Sequence, residues 1–216
     1  MEELLKAFEE QLADYGKVKD NLFIRAYSSS KVNVNETALV AKDIQGIVLI
    51  PAVSLGSKAM VNVTRDLLTL YNISEEQLWL DAFKSSAIIC PAAVKHMSEL
   101  IGLMFGPDAS DLLVCLSNAD GGAAAFFYPG LYFDQDFKPI AEQRFFVIPS
   151  SRHELILLDI ESDEMLENWK DFNSIIHDIN ADKSIIHPDD FLSDDLYYYD
   201  GSEGIFGKAK DVLAKK

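Results

Sequence analysis

Apolar positions recur along this chain at two spacings, one of helices and one of strands. Leu4, Leu5, Phe8, Leu12 and Tyr15 fall three and four residues apart ahead of Gly16, which predicts an amphipathic helix over residues 2–15 that ends at the glycine. Its apolar stripe has two possible seats, the body of the protein or a second copy of the chain. Thr64 is placed to cap RDLLTLY, and Ser74 before Glu75, Glu76 and Gln77 makes a capping box for a helix over 75–88, with Trp79, Ala82, Phe83 and Ile89 facing inward. PAAVKHMSELIGLMFG opens on proline and closes on glycine, so a helix is expected over 92–105. Another is expected over 163–178.

Elsewhere the apolar residues run together. GIVLIPAVSL reads as a buried strand whose Pro51 points to a sheet edge or a bulge, and AMVNV, residues 59–63, supplies its partner. Residues 22–26 form one strand within the otherwise polar 16–43. DLLVCLSNADGGAAAFFYPG places two apolar runs around Asp120, Gly121 and Gly122, the signal of a hairpin. Those glycines precede an apolar run rather than opening a helix, which argues against a phosphate loop. RFFVI and ELILL lack polar alternation and are expected to be central strands covered on both faces. A short YYY strand follows. Together these elements predict an α+β fold: a mixed, largely antiparallel sheet from 40–63, 112–128 and 144–158, with helices packed on it. The chain divides into an amino-terminal helix and variable segment, 1–36, and an α+β domain, 37–216.

Charge narrows the classes of partner. With 35 acidic against 19 basic residues the net charge is −16, so nucleic acid and anionic membranes are repelled unless a local basic patch exists. Lys17, Lys19 and Arg25 lie near one another but are diluted by Asp14 and Asp20, the composition of a solvated face. The start MEELLKAFEEQL lacks the basic region and apolar run of a secretory signal. No apolar run reaches the ~18 residues of a spanning helix. Cys90 and Cys115, in AIIC and LLVCL, read as buried reduced thiols of a cytoplasmic protein, with a disulfide as the lesser alternative.

Chemistry concentrates in FFVIPSSRHELILL, where Ser150, Ser151, Arg152, His153 and Glu154 interrupt two apolar runs. With Asn118 they form the candidate binding rim, at the end of a sheet where scaffolds carry function. Ser151 and His153, if extended, stand roughly 7 Å apart, too far for direct proton transfer. No G-x-S-x-G elbow surrounds either serine, so a hydrolase or transferase would need a base from elsewhere. Hydroxyls and imidazole satisfying turn backbone explain the same residues. No catalytic residue, metal or cofactor is therefore assigned. DINADKSIIHPD places Asp178, Asn180, Asp182 and Ser184 at calcium-loop positions, but Lys183 stands where the loop needs glycine and Asp189 where it needs glutamate. A polar helix exit is the expected reading. His153, His177 and His187 have no zinc-ligand spacing, the lone His96 reads as packed or solvated, and Asp194 and Asp195 read as turn formers before YYY.

The ordered set NISEEQLWLDAF, MSELIGLMFGP, LSN before GGAAAFFYPG, FFVIPSSRHELIL and INADKSIIHPDDFLSDDLYYYD resembles an uncharacterised bacterial domain family of unknown function, with motifs like I-L-P-S-S-I-H-E and L-S-D-x-V-Y-x-Y-D. The likeness covers roughly residues 40–206, and Arg152 replaces the apolar residue usual before the histidine. In such relatives the segment before L-S-D resembles V-N-A-T-x-V-x-x-E, which does not chelate. The resemblance implies a soluble bacterial intracellular protein and no particular chemistry. The expected function is a non-catalytic module binding a small molecule or a protein, with a serine-dependent hydrolase or transferase as the alternative and a homo-oligomer left open.

Overall fold

A computed structural model describes residues 10, 12–56, 59–101, 112–117, 119–128, 142–181 and 186–215. Its strands divide between two antiparallel sheets rather than joining in the single sheet expected. The first sheet contains β1 (Leu22–Ser28), β2 (Lys42–Ile44), β3 (Ile47–Ser54) and β4 (Met60–Asn62). The second runs in the order β10-β9-β7-β8-β6-β5: β5 is Ala92–His96, β6 Leu113–Ser117, β7 Arg144–Ser151, β8 Glu154–Asp159, β9 Tyr197–Asp200 and β10 Ile205–Lys208. Helices and antiparallel sheets together make an α+β protein.

Pro51 lies in the central strand of the first sheet, not at an edge or a bulge. β1 pairs along one side of β3 from Leu22↔Val53 to Ser28↔Ile47, while β2 and β4 share the other side. The Ile24 N–H points away from β3 and donates to Ser86 Oγ at 3.0 Å, so Ile24 and Pro51 are a non-hydrogen-bonded pair. Proline's missing donor then faces the junction where β2 gives way to β4, and its carbonyl still accepts from Val63 N at 2.8 Å.

The opening segment is helical at residues 10 and 12, and residues 1–9 and 11 lie outside the described residues. Gly16 does not end that helix. Asp14 accepts from its N–H and starts a new turn, α1 (Tyr15–Val18). Thr64 and Ser74 cap as expected, opening α2 (Arg65–Tyr71) and α3 (Glu75–Ile89). Buried Ser86 on α3 covers the free edge of β1.

Two segments depart from their local signals. Residues 92–96 are strand, with only a short helix, α4 (Met97–Ile101), behind them; of the expected helix, residues 102–105 lie outside the described residues. Pro91 biases Cys90 out of helical conformation (φ −130°, ψ 59°), and the open edge of β6 then captures the next five residues. After β6 the expected second hairpin arm is instead a pair of 3-10 turns over Ala119–Phe127, joined at Gly122 (φ 48°, ψ −133°). Both sides of β6 are already taken by β5 and β8. Three alanines, Ala123–Ala125, let this segment fill the narrow space between the sheets.

Alternation along β7 and β9 builds two cores. Phe145, Val147 and Tyr197 face the first sheet and join Leu22, Ile24, Ile47 and Leu49. Phe146 and Tyr198 face the opposite way with Ile160 and Ile176, beneath α5 (Asp163–Glu167) and α6 (Trp169–Ala181). The expected single helix over 163–178 is therefore broken at Asn168. β7 is covered on both faces as expected, whereas β8 alternates: Leu155 and Leu157 are buried, Ile156 and Leu158 half-buried.

Candidate functional site

The segments 145–148 and 155–158 meet as adjacent strands, and Arg152–His153 is the two-residue turn that joins them. The ladder shifts register between Ile148 and Ser151, where Pro149 has no N–H to give. Ser151 is buried. Its hydroxyl donates to Glu154 Oε1 at 2.7 Å and accepts the His153 N–H at 3.0 Å. This is a hydroxyl holding a turn closed, and the imidazole of His153 points to a different partner.

Two other segments seat the turn. From below, Ala123 N donates to the Arg152 carbonyl at 3.0 Å. A Cβ at Gly122 would stand 2.2 Å from that same oxygen and 3.0 Å from His153 Cα, so only glycine permits this approach, quite apart from its positive φ. From the side comes the stretch after α6. Arg152 N donates to the Asp190 carbonyl at 2.8 Å, Arg152 Nε donates to Asp190 Oδ1 at 2.8 Å, and His153 Nε2 lies 3.1 Å from the same oxygen. Asp190 is fixed in turn by its N–H to His187 O at 2.9 Å, and Lys31 Nζ donates to the Pro188 carbonyl. Burial works to raise the Asp190 carboxyl, but the hydrogen bonds and charges of Arg152 and His153 prevail and hold it below the ordinary carboxylate value.

Arg25 approaches from the first sheet. Its guanidinium lies over the Tyr27 ring, 5.1 Å from the centroid, and among the described residues it meets no carboxylate. Arg25, Ala26, Arg152 and His153 line one small surface depression. Arg152 commits only Nε to Asp190, so its terminal nitrogens keep their donors. The structure therefore gathers Arg152, His153, Ser151 and Glu154 at one turn and adds Arg25 and Asp190, which sequence reasoning did not single out. Asn118 and the side chain of Ser150 fall outside the described residues.

The other candidates have structural partners. Asn180 donates to Ser193 O at 3.1 Å and Asp194 Oδ1 at 3.0 Å, while Asp182 and Ser184 lie outside the described residues. Asp195 bridges Lys208 Nζ (2.7 Å) and Lys210 Nζ (2.5 Å). Burial opposes ionisation there too, yet both lysines hold the carboxyl below its ordinary value. Cys90 and Cys115 are buried thiols, and burial pushes the Cys115 thiol up to about 12, leaving it protonated and unreactive.

No helix among the described residues is long and apolar enough to cross a membrane, and no group of His, Cys, Asp or Glu among them could hold a metal ion. No curated protein and no solved structure matches the chain. A family profile does match, over residues 1–201, so the likeness extends through the amino-terminal segment as well as the PSSRHE and LSDDLYYYD motifs. The chain belongs to DUF5688, a family of unknown function.

Proposed function

We propose that this protein is a non-catalytic binding module, and that its ligand-binding face is the β7–β8 turn with Arg25 beside it. One observation carries the reading: Arg152 and Arg25 come from different sheets to line one depression beside His153 and, among the described residues, keep guanidinium donors unengaged, while the Ser151 hydroxyl is spent on the turn. A hydrolase acting through Ser151 would need that hydroxyl open to substrate. Here Ser151 is buried against Glu154, and the His153 ring turns to Asp190. The rigid, doubly seated turn suits recognition, because little side-chain entropy is left to lose on binding.

The test is ligand-observed NMR with a panel of small carboxylates, phosphate esters, amines and neutral sugars. Wild-type protein is compared with an Arg152→Ala/His153→Ala variant whose fold is checked by circular dichroism. Signals present in wild type and absent from the folded variant support the reading. Equal signals from both proteins, or none from wild type, remove it.

A further inference from the structure

Resting on that binding face, we infer that the depression between Arg25 and Arg152 takes a small phosphoryl dianion, such as a phosphate monoester. Three features of the site specify this class. First, the arginines that line the depression come from two elements, Arg25 from β1 and Arg152 from the β7–β8 turn, with His153 beside them. A planar carboxylate is satisfied by the two parallel donors of one guanidinium, whereas a tetrahedral phosphoryl group offers oxygens in several directions and uses donors that converge from different sides.

Second, charge is left over. Asp190 offsets one positive charge, and the Arg25 guanidinium has only the Tyr27 ring against it. An anion in the depression lies beside two arginines and a single carboxylate. Asp190 Oδ1, gripped at 2.8 and 3.1 Å, shows how the turn already holds one anionic oxygen.

Third, the net charge of −16 selects for size. At physiological ionic strength charges are screened beyond about 8 Å. A small dianion inside the depression responds to the local arginines, while a nucleic acid or anionic membrane also meets the acidic surface around it.

The experiment is calorimetric titration of the full chain with inorganic phosphate, methyl phosphate and acetate at matched ionic strength. Wild type is compared with Arg25→Gln, which breaks no ion pair among the described residues. Methyl phosphate is expected to bind wild type, with at least tenfold weaker binding to Arg25→Gln and to acetate. Inorganic phosphate binding comparably supports recognition of the phosphoryl group itself; binding of methyl phosphate far more tightly supports an ester. Equal affinity of both proteins for methyl phosphate, or acetate binding as well as the phosphate compounds, overturns the inference. If methyl phosphate gives no heat while the NMR panel still finds a ligand lost with Arg152 and His153, the phosphoryl assignment fails and the binding face stands. Silence in both assays defeats both.

Discussion

Asp190 and Asp195 lie five residues apart and each holds two basic side chains, yet they act differently. Asp195 gives one oxygen to each lysine, Oδ2 to Lys208 and Oδ1 to Lys210. Lys208 also lies close to Gly46, and next to this cluster Tyr197 donates to the Gln45 carbonyl at 2.9 Å, so it fastens the second sheet to the turn after β2. Asp190 offers a single oxygen to both Arg152 and His153, leaving guanidinium donors over at the rim of a depression. The same chemistry thus makes a strut where each cation meets its own carboxylate oxygen and a receptor rim where donors are left over. Side-chain shape contributes to the difference: an ammonium is a compact charge with three donors at one atom, whereas a guanidinium spreads five donors over three nitrogens and keeps some after a single contact.

The largest test removes the seat of the rim. Gly122→Ala puts a Cβ into the Arg152 carbonyl at a positive φ and is expected to cost about 2–4 kcal/mol by denaturant unfolding. A cost under about 0.5 kcal/mol would mean the 3-10 turns do not support the β7–β8 turn. Next comes the strut. Asp195→Asn should lose about 1–2 kcal/mol at pH 7, more than the ~1 kcal/mol expected of Asp190→Asn, because Asp195 is the less exposed carboxylate and each of its oxygens faces a separate cation.

Both costs depend on pH with a defined sign. A carboxyl held below its unfolded value near 3.8 contributes stability that is complete above that value and is lost as pH falls through the depressed folded value. The gap between wild type and Asp195→Asn, whose partners Lys208 and Lys210 stay charged throughout, should therefore be constant from pH 8 to 5 and close below pH 4. A gap that widens in acid would contradict the assignment. Ser151→Ala, which deprives the His153 N–H of its acceptor and removes one donor to Glu154, should cost about 1 kcal/mol. The smallest effect is expected at Arg25. Arg25→Gln should leave thermal stability within about 0.5 kcal/mol of wild type, and a larger loss would make this arginine a structural residue instead of a ligand donor.

Legibility in the sequence followed the range of the interactions concerned. Thr64 and Ser74 cap their helices through N–H groups three residues away, so their signals are complete within a few letters. The strands at 145–151 and 154–159 were likewise legible, because their apolar runs and the polar turn between them are contiguous. Residues 92–96 were not: proline followed by alanines reads as a helix start, and what made them strand was the unoccupied edge of β6, some twenty residues later. AAAFF after two glycines read as a hairpin arm, and no local feature records that β6 already had two neighbours. Within the site, four rim residues are consecutive and could be named together. Arg25 gave no signal beyond a diluted charge cluster, and Asp190 sat just past what looked like a degenerate calcium loop.

The sequence by itself determined the elements whose partners are near in the chain: the capped helices, the greasy strands, the polar turn that interrupts them, and the acidity that disfavours large anions. Only the tertiary structure decided which edge each strand joins, that there are two sheets, and that an arginine from β1 stands beside an arginine 127 residues later at one depression. The reason is physical. Capping and alternation act through contacts a few residues apart, whereas charge convergence depends on where whole sheets dock, and docking is set by the summed burial of side chains scattered along the entire chain.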